Sequence, residues 1–174
     1  VWVEAGGYPE WLDYCEDLIF DLRVRAAHGP FIFAPRARAS FRPRPDLESF
    51  FRQYYRYARG DGKADLFFRR HLIRYGVYLV VLPAVVWAAL AISPWWWAVG
   101  GAGAGAYLSR AIRRVSRAWG RRSLVERLVL LGWLPVILLT GDLAKMLGYP
   151  MGVFWRLRNP APQAGTGPGA ESSR

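Results

Sequence analysis

An uninterrupted apolar stretch in the middle of the chain limits the possible folds more than any other feature. The 18 residues of 75–92 include no charged side chain. As a helix rising about 1.5 Å per residue, this stretch would span about 27 Å, close to the thickness of the hydrocarbon layer. Pro83 should kink such a helix, which membrane helices tolerate. Ser93 and Pro94 make a turn, and the tryptophans at 95–97 are typical of a membrane interface. The stretch therefore predicts one membrane crossing.

Two further apolar segments follow. Residues 98–108 are small and apolar, and Gly101 and Gly105 have the GxxxG spacing that favours close packing on the preceding helix. A flexible gap is the alternative interpretation of these glycines. A third apolar run begins near Leu128 and is interrupted at Asp142, and the sequence leaves open whether it crosses the membrane or bends back there. Beyond Arg158 the tail is rich in Pro, Gly, Ser and Ala, and we expect residues 159–174 to be disordered.

Positive charge is concentrated in the second half of the chain. Residues 76–174 carry 11 Arg and Lys against 3 Asp and Glu, whereas residues 1–75 carry 13 against 10. Six arginines lie within 110–122, which predicts a cytoplasmic, interfacial segment by the positive-inside rule, with a solvated loop as the alternative. Because this charge accompanies membrane-length segments, we expect anionic membrane lipid and no nucleic acid as a partner. The single cysteine excludes an intrachain disulfide.

The first half contains an acidic pair at the predicted start of a helix. Glu16 and Asp17 precede a run in which the apolar side chains share one face, and Gly29 is a plausible stop. A carboxylate at a helix start lies in the positive end of the helix dipole and tends to stay ionised. Such a group can act as a general base beside a cleft. The alternative is a simple cap that accepts free backbone N–H groups.

Between this helix and the membrane segments lies a basic region. Residues 31–34 are a short apolar run closed by Pro35, which predicts a buried strand. Residues 36–45 alternate arginine with small or apolar residues and should be extended. Asp46 is a good N-cap for a helix through about Arg59, and residues 60–62 should break it.

That basic helix has the composition of a phosphate-binding surface. Arg52, Arg56 and Arg59 form a row, with Gln53 beside Arg56 and an aromatic strip next to it. Guanidinium groups beside aromatic rings are suited to holding phosphate and packing a flat ligand. A solvated basic face or a lipid-headgroup contact is the alternative.

Taken in order, these motifs resemble the C-terminal half of family 2 glycosyltransferases. The resemblance rests on the GGYPE turn, the Glu16–Asp17 pair, the RVRAAHG helix end, the RPRP segment, and RQYYRYARGDGK directly before the membrane spans. The chain looks most like the membrane-anchored bacterial enzymes that build exopolysaccharide or lipid-linked glycans, such as the succinoglycan type. It covers residues 1–75 well and the membrane part only in general layout.

The resemblance implies a fold, a reaction and a set of site residues. The fold would be α/β: the C-terminal part of a Rossmann-like GT-A domain over residues 1–71, then about three transmembrane or interfacial helices over 72–158. Asp17 would be the general base of an inverting sugar transfer, with Glu16 as its neighbour. Gln53, Arg56 and Tyr57 occupy the positions of the family's QxxRW motif, with Tyr in place of Trp, and together with Arg52 would bind the donor diphosphate.

The resemblance also implies partners and a location. The donor would be a nucleotide sugar and the acceptor a lipid-linked or polysaccharide glycan, at the bacterial inner membrane. Since nucleotide sugars are made in the cytoplasm, the catalytic part should be cytoplasmic. The chain would leave through 75–92 and return through 95–109, and the third run would start from the cytoplasmic face near Leu124.

One departure from the family is large. A divalent cation, Mg²⁺ or Mn²⁺, is implied as cofactor, but this chain carries no metal-binding DxD motif at a suitable place. The chain starts at Val1 without a methionine, so we expect the nucleotide pocket and the metal site on a preceding segment, and the fragment alone to be inactive. The alternative function is a non-catalytic membrane module that binds anionic lipid or a partner protein. An enzyme needs an open cleft at Asp17 with Arg56 facing it, whereas a module allows Asp17 to be buried as a cap.

Overall fold

The computed structural model describes residues 1–117, 119–120 and 122–159, and these residues form helices and no β-strand. In chain order the elements are α1 (Glu16–His28), α2 (Leu47–Lys63), α3 (Phe68–Gly76), a π-helical turn (Val77–Val81), α4 (Leu82–Ala91), α5 (Trp96–Arg117) and α6 (Leu124–Arg158). The expected α/β, GT-A-like fold is therefore wrong for the part of the chain that the structure describes. The tail from residue 160 and Arg121 of the basic segment lie outside the described residues.

The predicted strand shows why that expectation failed. Residues 31–34 are irregular, and Ile32 and Phe33 are 94% and 86% exposed. A strand is stabilised by hydrogen bonds and side-chain pairs with a neighbouring strand. No such neighbour exists within the described residues. The apolar run has the composition of a strand, but composition does not supply the partner.

One compact unit combines residues 1–67 with the end of α6 from Leu147. Helix α2 begins as predicted, because the Asp46 carboxylate accepts a hydrogen bond from the Ser49 amide at 2.7 Å. Helix α1 ends as predicted at Gly29, whose φ of 87° is costly for residues with a side chain. The predicted break at residues 60–62 is wrong, since α2 continues to Lys63.

Glycines let α2 and the end of α6 approach backbone to backbone. A Cβ on Gly148 would collide with the Tyr55 carbonyl, and one on Gly152 would collide with the Arg59 carbonyl. On the opposite helix, a Cβ on Gly62 would collide with the Tyr149 carbonyl and would lie 3.0 Å from the Gly152 Cα. Gly148 and Gly152 have the GxxxG spacing that allows such close contact. Helix propensity would disfavour these glycines, but their missing side chains make the packing possible.

A second compact unit comprises residues 68–146. Its first helical stretch widens into the π-helical turn directly before Pro83, and the Leu82 amide donates to the Val77 carbonyl five residues back. Proline lacks an N–H and its ring disturbs the preceding turn. This explains why the backbone hydrogen bonds change from the α-helical to the π-helical pattern just before Pro83. Helix α5 follows α4 after the turn at residues 93–94 and packs against it.

The packing of α5 on α4 differs in detail from the sequence prediction. Gly100 faces the Val85 side chain, with 3.3 Å between Cγ1 and a Cβ placed on the glycine. Gly101 and Gly105 have no heavy atom within 4 Å of such a Cβ. The helices therefore pack, but the two glycines with GxxxG spacing are not at the contact.

A half-buried polar network joins α3, the π-helical turn, α5 and α6 in the second unit. The Asp142 carboxylate accepts hydrogen bonds from Arg74 Nε at 2.9 Å, the Tyr78 hydroxyl at 3.0 Å and the Tyr107 hydroxyl at 2.6 Å. The Arg74 and Asp142 side chains are only 18% and 14% exposed. A charged pair with this little exposure needs hydrogen bonds from its neighbours to offset desolvation, and the two tyrosines supply them.

Two helical stretches among the described residues are long and apolar enough to cross a membrane: Phe68–Ala91 and Leu124–Arg158. The first contains the predicted crossing at 75–92 except for its last residue. In the second, α6 continues as helix through Asp142, so the chain does not bend back there. At the Pro150 turn of α6, the Met146 carbonyl accepts a hydrogen bond from the Tyr75 hydroxyl at 2.6 Å. A proline four residues later leaves that carbonyl without its helical donor, so Tyr75 replaces the missing N–H.

Candidate functional site

The segment just before α1 lies along one face of α2. Arg56 donates to the Tyr14 hydroxyl at 2.7 Å, and its guanidinium lies 5.4 Å from the centre of the Tyr14 ring. The Tyr14 ring also packs edge-on against Tyr57, with 6.2 Å between ring centres. A cation near an aromatic face and a hydrogen bond to the same residue orient the Arg56 side chain. Tyr14 therefore joins the basic helix to the start of the helix that carries Glu16 and Asp17.

Cys15 fixes the entry of the chain into α1. It has a left-handed backbone conformation, with φ of 68°, and its thiol contacts the Tyr57 carbonyl at 3.4 Å and the Asp61 carboxylate at 3.7 Å. On α2, only a glycine fits at the position that faces Cys15. A Cβ on Gly60 would lie 2.6 Å from the Tyr14 carbonyl and 2.9 Å from the Cys15 sulfur. Burial, and then the charge of Asp61, raises the pKa of the Cys15 thiol to about 12. The thiol therefore stays neutral and is structural, since only a thiolate is a good nucleophile.

An ion pair and stacked tryptophans hold the same segment from the other side. Asp13 pairs with Arg59 and with Lys63, whose Nζ lies 2.7 Å from the carboxylate. Burial, and then the positive charge of Arg59, lowers the pKa of Lys63. Trp11 stacks on Trp155 of α6, with 5.9 Å between ring centres. Residues 11–15 are thus attached to α2 and α6 at several independent points.

The acidic pair begins α1 directly after this attached segment. Asp17 is exposed, and one carboxylate oxygen accepts the Leu18 amide at 2.8 Å. Glu16 is half-buried, and its Oε2 is buried without a hydrogen-bond partner. Asp17 therefore satisfies one free amide of the helix start, as the cap interpretation expects. It is nevertheless open to solvent, as a general base must be.

The predicted diphosphate-binding residues are partly brought together. Gln53 donates to the Tyr57 hydroxyl at 2.7 Å and accepts from Arg44 Nε at 3.0 Å. Gln53, Arg56 and Tyr57 thus share one surface with Tyr14, and we call these four residues the Tyr14 cluster. Arg52 instead pairs with Glu48 one turn back on the exposed surface of α2, and no contact links it to the cluster.

The exposed guanidinium of Arg56 gives the cluster its chemistry. Arginine has five N–H donors, and the structure uses one of them on Tyr14. The others can reach an anion, with the Tyr57 and Tyr14 rings beside it for a flat group. Across the described residues, no three His, Cys, Asp or Glu side chains are grouped as metal ligands would be. The described part of the chain therefore shows no such group that would fit a divalent cation.

A separate open pocket of about 380 Å³ lies against the apolar face of α1. Its walls are Trp11, Ile19, Leu22, Arg23, Ala26 and Ala64. None of the predicted site residues lines it, so this pocket is distinct from the Tyr14 cluster.

Sequence reasoning missed Tyr14, Asp13 and Arg44. Each is a polar side chain next to a motif that was recognised. Arg44 contacts Gln53 nine residues later, whereas the partners of Tyr14 and Asp13 lie more than 40 residues away, a distance that proximity along the chain does not reveal. For Tyr14 and Arg56 that separation is 42 residues. The one available signal of this contact was charge complementarity between the acidic residues Asp13, Glu16 and Asp17 and the basic row Arg56, Arg59 and Lys63.

Comparison with family models, with curated proteins and with solved structures finds no match to this chain.

Proposed function

We propose that this chain is the acceptor-activating and diphosphate-binding part of a family 2 inverting glycosyltransferase at the bacterial inner membrane. The observation that carries the proposal is the Tyr14 contact with Arg56. It brings the basic helix α2 to the start of α1, where Asp17 is exposed. A general base and a cation for the leaving group are the two elements that a displacement at a sugar carbon requires.

The reaction follows from these two groups. Asp17 accepts the proton of an acceptor hydroxyl, whose oxygen then forms a bond to the anomeric carbon of the nucleotide sugar. The bond between that carbon and the diphosphate oxygen breaks, and the nucleoside diphosphate leaves with the electron pair. Attack from the face opposite the leaving group inverts the anomeric configuration. Arg56 stabilises the negative charge that develops on the diphosphate.

The residues of the Tyr14 cluster position Arg56 for this role. Tyr14 holds the guanidinium by a hydrogen bond and by its ring, and Gln53 holds the Tyr57 hydroxyl. A preorganised donor costs no reorganisation when charge develops, so this support favours catalysis over loose ion binding. The Mg²⁺ or Mn²⁺ that the family resemblance implies finds no donor set among the described residues, and no step here depends on it.

The alternative is a non-catalytic membrane module that binds anionic lipid or a partner protein through the basic face of α2. It is favoured by Arg52, which is exposed on that face and has no contact with the Tyr14 cluster. The exposure of Asp17 supports the enzyme instead, because a module has no need for an open carboxylate at this place.

Substitution of Arg56 separates these functions. In the full-length protein, Arg56→Ala should weaken nucleoside diphosphate binding by about tenfold or more, the loss of a charge-assisted hydrogen bond of about 1.5–3 kcal/mol. Arg56→Lys should restore only part of the affinity, since lysine lacks the bidentate fork. Isothermal titration calorimetry with the free diphosphate measures both.

Arg25→Ala is the matched control, because Arg25 is an exposed arginine on α1 outside the cluster. It should leave the affinity unchanged. Equal losses of diphosphate affinity for Arg25→Ala and Arg56→Ala would show that the effect depends only on net charge. An unchanged affinity in Arg56→Ala would rule out a contact between Arg56 and the diphosphate.

A further inference from the structure

The outward face of α6 is apolar along nearly its whole length. Its large exposed side chains from residue 128 to residue 157 are all uncharged: Leu128, Val129, Trp133, Val136, Ile137, Leu139, Leu143, Leu147, Met151, Phe154 and Leu157. Most neighbours in this set are three or four residues apart, which puts the set on one side of the helix. An exposed apolar surface of this length is not stable in water and requires a nonpolar environment.

Between residues 128 and 157, the charged side chains of α6 lie on its other side. Asp142 and Arg156 are 14% and 20% exposed in their side chains, and Lys145 is also half-buried. Asp142 is held by the network with Arg74, and Arg156 pairs with Asp65. Between residues 128 and 157 the helix thus turns its charges toward protein and its apolar side chains outward, while the exposed charges Glu126 and Arg158 lie near its two ends. This is the arrangement expected of a helix covered by lipid.

The length of this apolar face does not match a single crossing. Thirty residues from 128 to 157 correspond to about 45 Å, whereas the hydrocarbon layer is about 30 Å thick. To keep the whole face within that layer, a crossing helix would have to tilt by about 50°, beyond the usual range of about 0–40°. A helix that lies parallel to the surface has no such limit.

The positions of the two ends agree with the parallel orientation. The start of α6 follows the arginines of α5, which the positive-inside rule keeps in the cytoplasm. The end of α6 packs on α2 through Gly148 and Gly152. Helix α2 carries Arg56. If the proposed function holds, Arg56 must face the cytoplasm, where nucleotide sugars are made. Both ends of α6 then belong on the same side of the membrane.

We propose that α6 does not cross the membrane but lies along its cytoplasmic surface, with the apolar face inserted at the boundary between headgroups and acyl chains. Its occupant is the lipid of one leaflet. Because the end of α6 is packed on α2, this anchor keeps the helix that carries Arg56 at the membrane surface. A lipid-linked acceptor would present its glycan at the same level.

Cysteine labelling in whole cells tests the side on which each end lies. The full-length protein with Cys15→Ser as background receives one cysteine at Ser93, Ser116 or Ser172, and is treated with an impermeant maleimide. We expect labelling at Ser93 in intact cells, and labelling at Ser116 and Ser172 only after permeabilisation.

The outcomes distinguish this inference from the proposed function. If Ser116 and Ser172 report opposite sides, α6 crosses and the inference is wrong. If both are labelled in intact cells while Ser93 is protected, α6 remains on one surface. The cytoplasmic placement of the glycosyltransferase site would then fail instead.

The depth of spin labels gives a second, independent test. Nitroxides at Leu128, Val136, Leu143, Leu147 and Phe154 in proteoliposomes should all lie about 5–10 Å below the headgroups, as for an interfacial helix. A label at the exposed Asp21 serves as the aqueous reference. Depths that increase to a maximum at Leu143 and then decrease would indicate a crossing. Labels shielded from both oxygen and a polar nickel complex would indicate a protein partner, and either result would overturn the proposal.

Discussion

Replacement of Asp17 by asparagine is expected to reduce the turnover of the full-length protein by about two to four orders of magnitude, the usual contribution of a general base. Asparagine has nearly the same shape and can still accept the Leu18 amide, so α1 should begin as before. It cannot take a proton from the acceptor hydroxyl. The initial rate of nucleoside diphosphate release at saturating donor measures the effect, and donor affinity should be unchanged.

Asp21→Asn is the control for this substitution. Asp21 is also an exposed aspartate, one turn later on the same helix, and it belongs to no predicted motif. Its replacement changes the charge of α1 by the same amount and should leave turnover within about twofold, since it loses no base. Near-normal turnover of a folded Asp17→Asn protein would leave Asp17 only the role of a cap.

Breaking the Arg74–Asp142 pair from one side is expected to destabilise the protein by about 3–5 kcal/mol, because it leaves an unpaired charge among apolar helices. Arg74→Gln leaves the Asp142 carboxylate with only the two tyrosine hydroxyls. Asp142→Asn leaves the guanidinium without its carboxylate. Unfolding in mixed detergent micelles, followed by circular dichroism, measures the loss for each variant.

The double variant, Arg74→Gln with Asp142→Asn, should be more stable than either single variant. It removes both half-buried charges, and the amide of residue 142 can still accept hydrogen bonds from Tyr78 and Tyr107. A double-variant loss equal to the sum of the two single losses would show that the pair is not coupled, and would contradict the role of the network.

Local signals in the sequence correctly predicted the start of one helix and the end of another. Asp46 marks the start of α2 and Gly29 the end of α1, because a cap depends only on residues a few positions away. The uncharged run at 75–92 predicted a membrane-length helix for the same reason. Each of these features is encoded within a single stretch of chain.

Features that depend on distant partners were predicted poorly. The strand at residues 31–34 was wrong, since its composition says nothing about a neighbouring strand. The break at Gly60 and Gly62 was wrong because these glycines accommodate other parts of the backbone, the Tyr14 carbonyl and the Tyr149 carbonyl. The GxxxG spacing occurs at 101–105 and at 148–152, and only the second is at a close contact.

The candidate site was predictable in its parts but not in its arrangement. Residue types, their spacing and the family resemblance together identified Glu16, Asp17, Gln53, Arg56 and Tyr57 as candidates. Tyr14, which connects the two groups, has no feature in the sequence that sets it apart from other tyrosines. Arg52 continues the basic row by spacing, yet its nearest carboxylate, Glu48, holds it on the surface of α2. The roles of all these residues in catalysis stay predictions.

The configuration of the product bond tests the central claim most directly. The full-length protein in proteoliposomes that contain bacterial lipid extract is supplied with α-linked nucleotide sugars, and the new glycosidic bond is assigned from its NMR coupling constant. We expect release of nucleoside diphosphate together with a β-linked product. A product that keeps the α configuration would contradict the proposed direct displacement, and no release from any donor despite lipid binding would favour the non-catalytic module.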